Sequence, residues 1–135
     1  MKTLEKILIA ILVVLFLLVI IAFLLPSKWS VSRSIVIEAP ISAIHPHIDN
    51  LKKWNEWAPW TTDLDPTLKY VYSGPESGEG AMESWEGQKV GSGSLTITRS
   101  DPETGITYTL SFSGEHNPSE GTISYEKTNG ETLVT

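Results

Sequence analysis

The chain contains no cysteine. That absence removes disulfides, thiolate metal sites and a cysteine nucleophile together, and it suits an oxidising compartment. Clustered positive charge is missing as well. No Lys/Arg group is larger than Lys52-Lys53, and residues 26–135 carry eight basic against fifteen acidic side chains, a net charge of −7. An acidic surface repels phosphate backbones, so no nucleic acid partner is expected. Nucleophile-elbow and phosphate-loop spacings are also absent. No catalytic residue can be assigned, and no cofactor is expected.

What is present first is an uninterrupted apolar run of nineteen residues, Ile7 to Leu25, closed by Pro26. At ~1.5 Å per residue this run makes a helix of about 28 Å, close to the roughly 30 Å hydrocarbon core of a bilayer. A cleaved secretory signal is the competing reading. It needs only ~7–15 apolar residues and a small-x-small site just beyond them, and the sole candidate here is Ser30-Val31-Ser32. A retained, single-pass anchor is therefore expected, with residues 7–25 in the membrane. Lys2 and Lys6 precede the span while Lys28 and Arg33 follow it, so positive-inside counting separates the ends poorly. The domain is placed on the extracytoplasmic side. The division expected is an anchor at 1–28 and a domain at 29–135, long enough for one core.

Ser30 to Ile37 alternates and reads as a strand. Pro40 suits the first position of a helix, and Ile41, Ile44, Ile48 and Leu51 follow at helical spacing. Pro46 lies inside that pattern, so two short helical pieces with a kink near Pro46 are expected. From Lys69 onward the period changes to two. Short runs at 68–73, 81–86, 94–100, 106–112, 122–125 and 131–135 are separated by Gly/Pro-rich turns, as in an antiparallel meander. Asn129-Gly130 is the strongest hairpin signal. Leu95 and Ile97 alternate with Thr96 and Thr98, and Ile106, Tyr108, Leu110 and Phe112 with Thr107, Thr109 and Ser111. One face is apolar and the other hydroxylic, which is the pattern of a sheet packed on one side and wet on the other. Keeping the apolar residues together requires Trp85 near Leu95 and Ile97 near Tyr108.

The passages VSRSIVIEAP at 31–40 and LKKWNEWAPW at 51–60 resemble the opening strand and first helices of the polyketide-cyclase-like branch of the START-related (SRPBCC, helix-grip) superfamily. GEGAMESWEG at 78–87 and Gly91-Ser92-Gly93 resemble its second and third strands. The resemblance covers Ser30 to Thr135. It implies an α+β helix-grip fold, a curved antiparallel sheet with short N-terminal helices, here preceded by one transmembrane helix. It also implies a long C-terminal helix enclosing a hydrophobic cavity. The sequence stops at Leu133-Val134-Thr135, within an expected strand, and the closing helix is missing, so a fragment is expected.

Trp54, Trp57 and Trp60 are three apart and could line a ligand mouth. Each buried indole removes ~150–250 Å² from water, worth roughly 4–6 kcal/mol as an upper bound, which favours core packing. Trp29, just past the span, suits an interfacial anchor. His45-Pro46-His47, with Asp49, invites a metal reading. Helical residues two apart point about 200° away from each other, however, and no third histidine is near, so no metal site is expected. His116 lies in a polar loop and reads as solvated. Glu83 shares a strand face with Ala81 and Trp85, and Arg99 with Leu95 and Ile97. If both faces are inner, each charge needs a partner in the other, in a tyrosine or in a ligand head group.

The function expected is a membrane-anchored module that binds a hydrophobic small molecule or lipid. Its ligand-binding residues would be Tyr70, Tyr72, Glu83, Trp85, Ile97, Arg99, Tyr108, Leu110 and Phe112. A cyclase- or hydrolase-like enzyme acting on a hydrophobic substrate is the alternative. A regulatory module read out by a further domain or partner is another.

Overall fold

The computed structural model describes residues 2–26 and 28–135, and the chain falls into two units divided between Ser32 and Arg33. In the first, helix α1 (Thr3–Leu24) has no buried side chain. The Glu5 carboxylate accepts a hydrogen bond from the Lys2 backbone N–H at 3.1 Å, closing its first turn. A helix apolar on every side finds no packing partner in water, and α1 is long and apolar enough to cross a membrane, a test that signal sequences also pass.

The second unit is a seven-stranded antiparallel sheet in the order β1-β7-β6-β5-β4-β3-β2. Its strands are β1 (Ile35–Ile37), β2 (Lys69–Ser73), β3 (Met82–Gly87), β4 (Gly91–Asp101), β5 (Gly105–Phe112), β6 (Ser119–Thr128) and β7 (Glu131–Val134). The meander is as the two-residue period requires, and Ile97 faces Tyr108 as expected. Trp85 lies opposite Gly93, and Glu83 opposite Leu95. At the β6–β7 turn Asn129 and Gly130 have φ of 48° and 90°, the left-handed pair that a tight hairpin demands.

Two local expectations need correction. The first strand was expected from Ser30, but β1 begins at Ile35. It pairs with β7, whose last residue, Val134, faces Ile35. Helix α2 (Ile41–Ile48) runs through Pro46 without breaking. Pro46 and Ser42, whose carbonyl loses its N–H partner, both lie on the exposed face, where water can take that bond. The break falls after Ile48, where Asn50 caps a separate 3-10 helix, Leu51–Glu56.

Ile41, Ile44 and Ile48 of α2 and Leu51 of the 3-10 helix are buried in one cluster with Trp85, Leu95, Ile97, Ile106 and Tyr125 of the sheet. The loop after the 3-10 helix is tied to the sheet by Asp65, which is 1% exposed. Its carboxylate accepts from the Thr67 hydroxyl at 2.6 Å and from the backbone N–H groups of Lys89, Thr67 and Val90. Led by the Thr67 hydroxyl, these donors outweigh desolvation and hold the Asp65 carboxyl well below the usual carboxylate range. A depressed carboxyl stabilises the fold above its unfolded value of about 4 and loses that contribution as pH falls below it. Asp65→Asn is therefore expected to lower Tm at pH 7. The gap to the wild type should close as pH is lowered from about 4 towards 2, as thermal melts followed by circular dichroism will show.

Candidate functional site

Strand register arranges the inner face in rungs. Tyr72, Glu83, Leu95 and Leu110 form one row across β2–β5, and Tyr70, Trp85, Gly93 and Phe112 form the next. Ile97, Tyr108 and Gly121 make a third across β4–β6. Two aromatic side chains lie nearly flat on the sheet because glycine sits beneath them. A Cβ on Gly93 would collide with the Trp85 indole, and one on Gly121 with the Tyr108 ring.

Above these rungs is a cavity of about 220 Å³. Its walls are Trp54, Asn55, Trp57, Ala58, Pro59, Trp60, Tyr70, Glu83, Leu95, Tyr108, Leu110 and Ile123. The 3-10 helix and the loop after it supply the three tryptophans. Trp54 packs edge-on to Tyr108 at 5.7 Å and lies 4.9 Å from Trp57. Trp60 joins Trp85 and Phe112 in a triangle with centroid separations of 5.3, 5.9 and 5.7 Å. Such pairs are worth about 0.5–1.5 kcal/mol each beyond area burial. Trp54 and Trp60 thus both pack on the core and line the cavity, while Trp57 is 46% exposed at its mouth.

Most polar groups of the wall are engaged. The indole N–H of Trp54 donates to the Ile48 carbonyl at 2.8 Å and that of Trp57 to the His47 carbonyl at 3.1 Å. The Tyr70 hydroxyl donates to the Trp60 carbonyl at 2.8 Å. The Asn55 amide donates to the Lys52 carbonyl and to the Tyr72 hydroxyl. Glu83 differs from all of these. It is 6% exposed, and neither a hydrogen bond nor an ion pair holds its carboxyl among the described residues. Burial pushes it up to about 7. Tyr70 is raised to about 12, by burial first and then by the nearby Glu83 charge. Tyr72 is raised by burial and by Glu83 against the Asn55 hydrogen bond, and Tyr108 by burial.

Of the residues expected from sequence, Tyr70, Glu83, Tyr108 and Leu110 line the cavity. Trp85, Ile97 and Phe112 pack in and against the core. Tyr72 borders a separate depression with Leu51 and Ala81. Arg99 is not in the site. The β4–β5 register shifts between Ile97 and Arg99, so Arg99 pairs with Thr107 on the wet face and is exposed. The bulge turns Ser100 inward instead, to 3.4 Å from His45 Nε2. Alternation alone carries no signal for a bulge. Leu95 was legible as an inner-face residue from its alternation with Thr96, whereas Ile123 was not assigned a face. Asn55, Ala58 and Pro59 reach the wall because the 3-10 helix and the loop after it fold over the sheet.

The histidines make no metal centre among the described residues. His45 is buried, with Nδ1 3.2 Å from the Tyr125 hydroxyl and Nε2 3.4 Å from Asp49. His47 instead approaches Glu56 at 3.3 Å on the surface.

The sheet order and the helical cover define a helix-grip α+β fold of the Bet v 1-like kind. Among solved structures, Ara h 8.0201 superposes with a TM-score of 0.52 at 14% identity, over 76% of this chain and 70% of that one. Protein Ms6760 from Mycobacterium smegmatis gives a TM-score of 0.49 at 18% identity, over 75% of this chain and 65% of its own. At these identities the likeness speaks to the fold alone. No protein-family model and no curated protein sequence matches the chain.

A buried carboxyl raised from 4.5 to about 7 favours the fold below the unfolded value and weakens it as pH rises from about 4.5 to about 7. Glu83→Gln should remove that decline. It is expected to stabilise the chain at pH 8 by about 1–3 kcal/mol, solvent at the open cavity keeping the gain below the full linkage value. Urea titrations of both proteins at pH 4.5 and pH 8 will check it.

Proposed function

We propose that the protein is a membrane-anchored binding module for a hydrophobic small molecule or lipid. The observation that carries this reading is the aromatic and aliphatic cavity gathered around the buried Glu83 carboxyl, which no hydrogen bond or ion pair holds among the described residues. Apolar walls with few convergent polar groups are the general character of ligand sites. A larger trough of about 700 Å³, lined by Ile37, Ala43, Ile44, Ile48, Trp57, Ile123 and Val134 among others, shares Trp57 and Ile123 with the cavity. A chain-like ligand could run from one into the other. Helix α1, long and apolar enough to cross a membrane, supports the anchor, and the reading puts the domain on the extracytoplasmic side.

Purified from membranes in mild detergent, the chain is expected to carry an apolar compound detectable by mass spectrometry and to bind a fluorescent fatty acid. Leu110→Trp, which fills the cavity, should weaken binding about tenfold or more at unchanged Tm. Failure of the wild type to bind any apolar probe would overturn the reading. The anchor is tested separately. The chain should resist alkaline extraction from membranes with Lys2 still attached, whereas a mature amino terminus beyond Ser30 would identify a cleaved signal.

One observation favours an enzyme as the second reading. A carboxyl near 7 in a cavity is suited to general acid–base chemistry, and a cyclase- or hydrolase-like activity would then be lost in Glu83→Gln with ligand binding retained.

A further inference from the structure

We infer that the cavity selects ligands bearing a basic nitrogen, an alkyl- or arylalkylammonium group seated on the Glu83 carboxylate among the faces of Trp54, Trp57, Trp60 and Tyr108. This rests on the binding-module reading and adds the chemical class of the ligand.

The inventory of donors carries it. The indole N–H groups of Trp54 and Trp57, the Tyr70 hydroxyl and the Asn55 amide are already bonded to protein acceptors. The Trp60 indole N–H and the Tyr108 hydroxyl make no hydrogen bond among the described residues, so the wall offers a ligand aromatic faces, these two neutral donors and one carboxylate. Aromatic faces are the negative pole of the ring quadrupole and attract a cation within about 6 Å of the centroid. No lysine or arginine lines the cavity, and Arg99, the one cation that strand alternation had aimed inward, is turned to the wet face by the bulge. The carboxylate thus lacks a counter-charge of its own, and a buried charge without one is costly. An ammonium ligand supplies the charge and the hydrogen bond together. At about 220 Å³ the cavity is smaller than the ~300–1,000 Å³ of drug-sized sites, so it fits a small amine or the amine end of a longer amphiphile.

The titratable groups facing Glu83 are Tyr70 and Tyr72 from β2 and Tyr108 from β5, all raised above the ordinary tyrosine value. β4 contributes Leu95, the 3-10 helix Asn55 and the loop after it Trp60, none of which titrates. Between pH 5.5 and pH 8 Glu83 is then the one group in the cavity that changes charge.

The test is calorimetric titration of the full chain in lipid nanodiscs with 4-phenylbutylamine and its neutral counterpart 4-phenylbutan-1-ol. At pH 8 the amine should bind about tenfold tighter or more. That preference should shrink towards unity at pH 5.5, as the carboxyl takes up a proton, and in Glu83→Gln at both pH values. Equal affinities at pH 8, or a preference that survives Glu83→Gln, would overturn the inference while leaving a hydrophobic binding module standing. So would tighter alcohol binding at low pH, which would make the carboxyl a donor. Binding of neither compound, nor of the fluorescent fatty acid, would overturn both readings. The wild-type pH profile decides the matter even if the variant folds poorly.

Discussion

Every side chain of a β-strand is tied to the face that its neighbours two positions away occupy, and this sheet turns that constraint to use. Burying Trp85 between Trp60 and Phe112 and Ala81 beside the core leaves Glu83 no choice of face. To send the carboxyl to water the strand would have to slip by one residue and expose the indole. Burial of one indole, roughly 4–6 kcal/mol as an upper bound, exceeds the few kcal/mol of keeping a carboxyl in a half-solvated cavity. The site is held in place by the same register that builds the core.

Cavity shape depends on what is absent beneath two rings. Trp85 and Tyr108 can lie along the sheet because Gly93 and Gly121 present no Cβ. Tyr108 lines the cavity, and Trp85 packs against Trp60 of its wall. The loop stays down because Asp65 gathers four donors from its own turn and from the β3–β4 hairpin. The Asp65 carboxylate has a full set of donors, whereas the Glu83 carboxyl has none among the described residues. Desolvation acts on both, and the hydrogen bonds decide the outcome.

The β4 bulge ties the two ends of the sheet interior together. It moves Arg99 to solvent and Ser100 towards His45, so the same extra residue removes a cation from the cavity region and adds a polar contact to the histidine. His45, held between Tyr125, Asp49 and Ser100, is a structural residue of the α2 contact.

The sequence by itself determined the apolar helix, the meander, the faces of most strands and the Asn129-Gly130 turn, because each is set by periodicity or local sterics within a few residues. It also put Glu83 on one strand face with Ala81 and Trp85. Only the tertiary structure decided that α2 runs through Pro46, since the orphaned carbonyl had to find water on the exposed face. Arg99 leaves the inner face through a bulge that exists only where β4 and β5 pair. That the tryptophans are both core and wall, and that Glu83 has no partner among the described residues, depends on how a loop folds over a sheet. Packing between segments distant in the chain settles such questions, and no period within one segment encodes it.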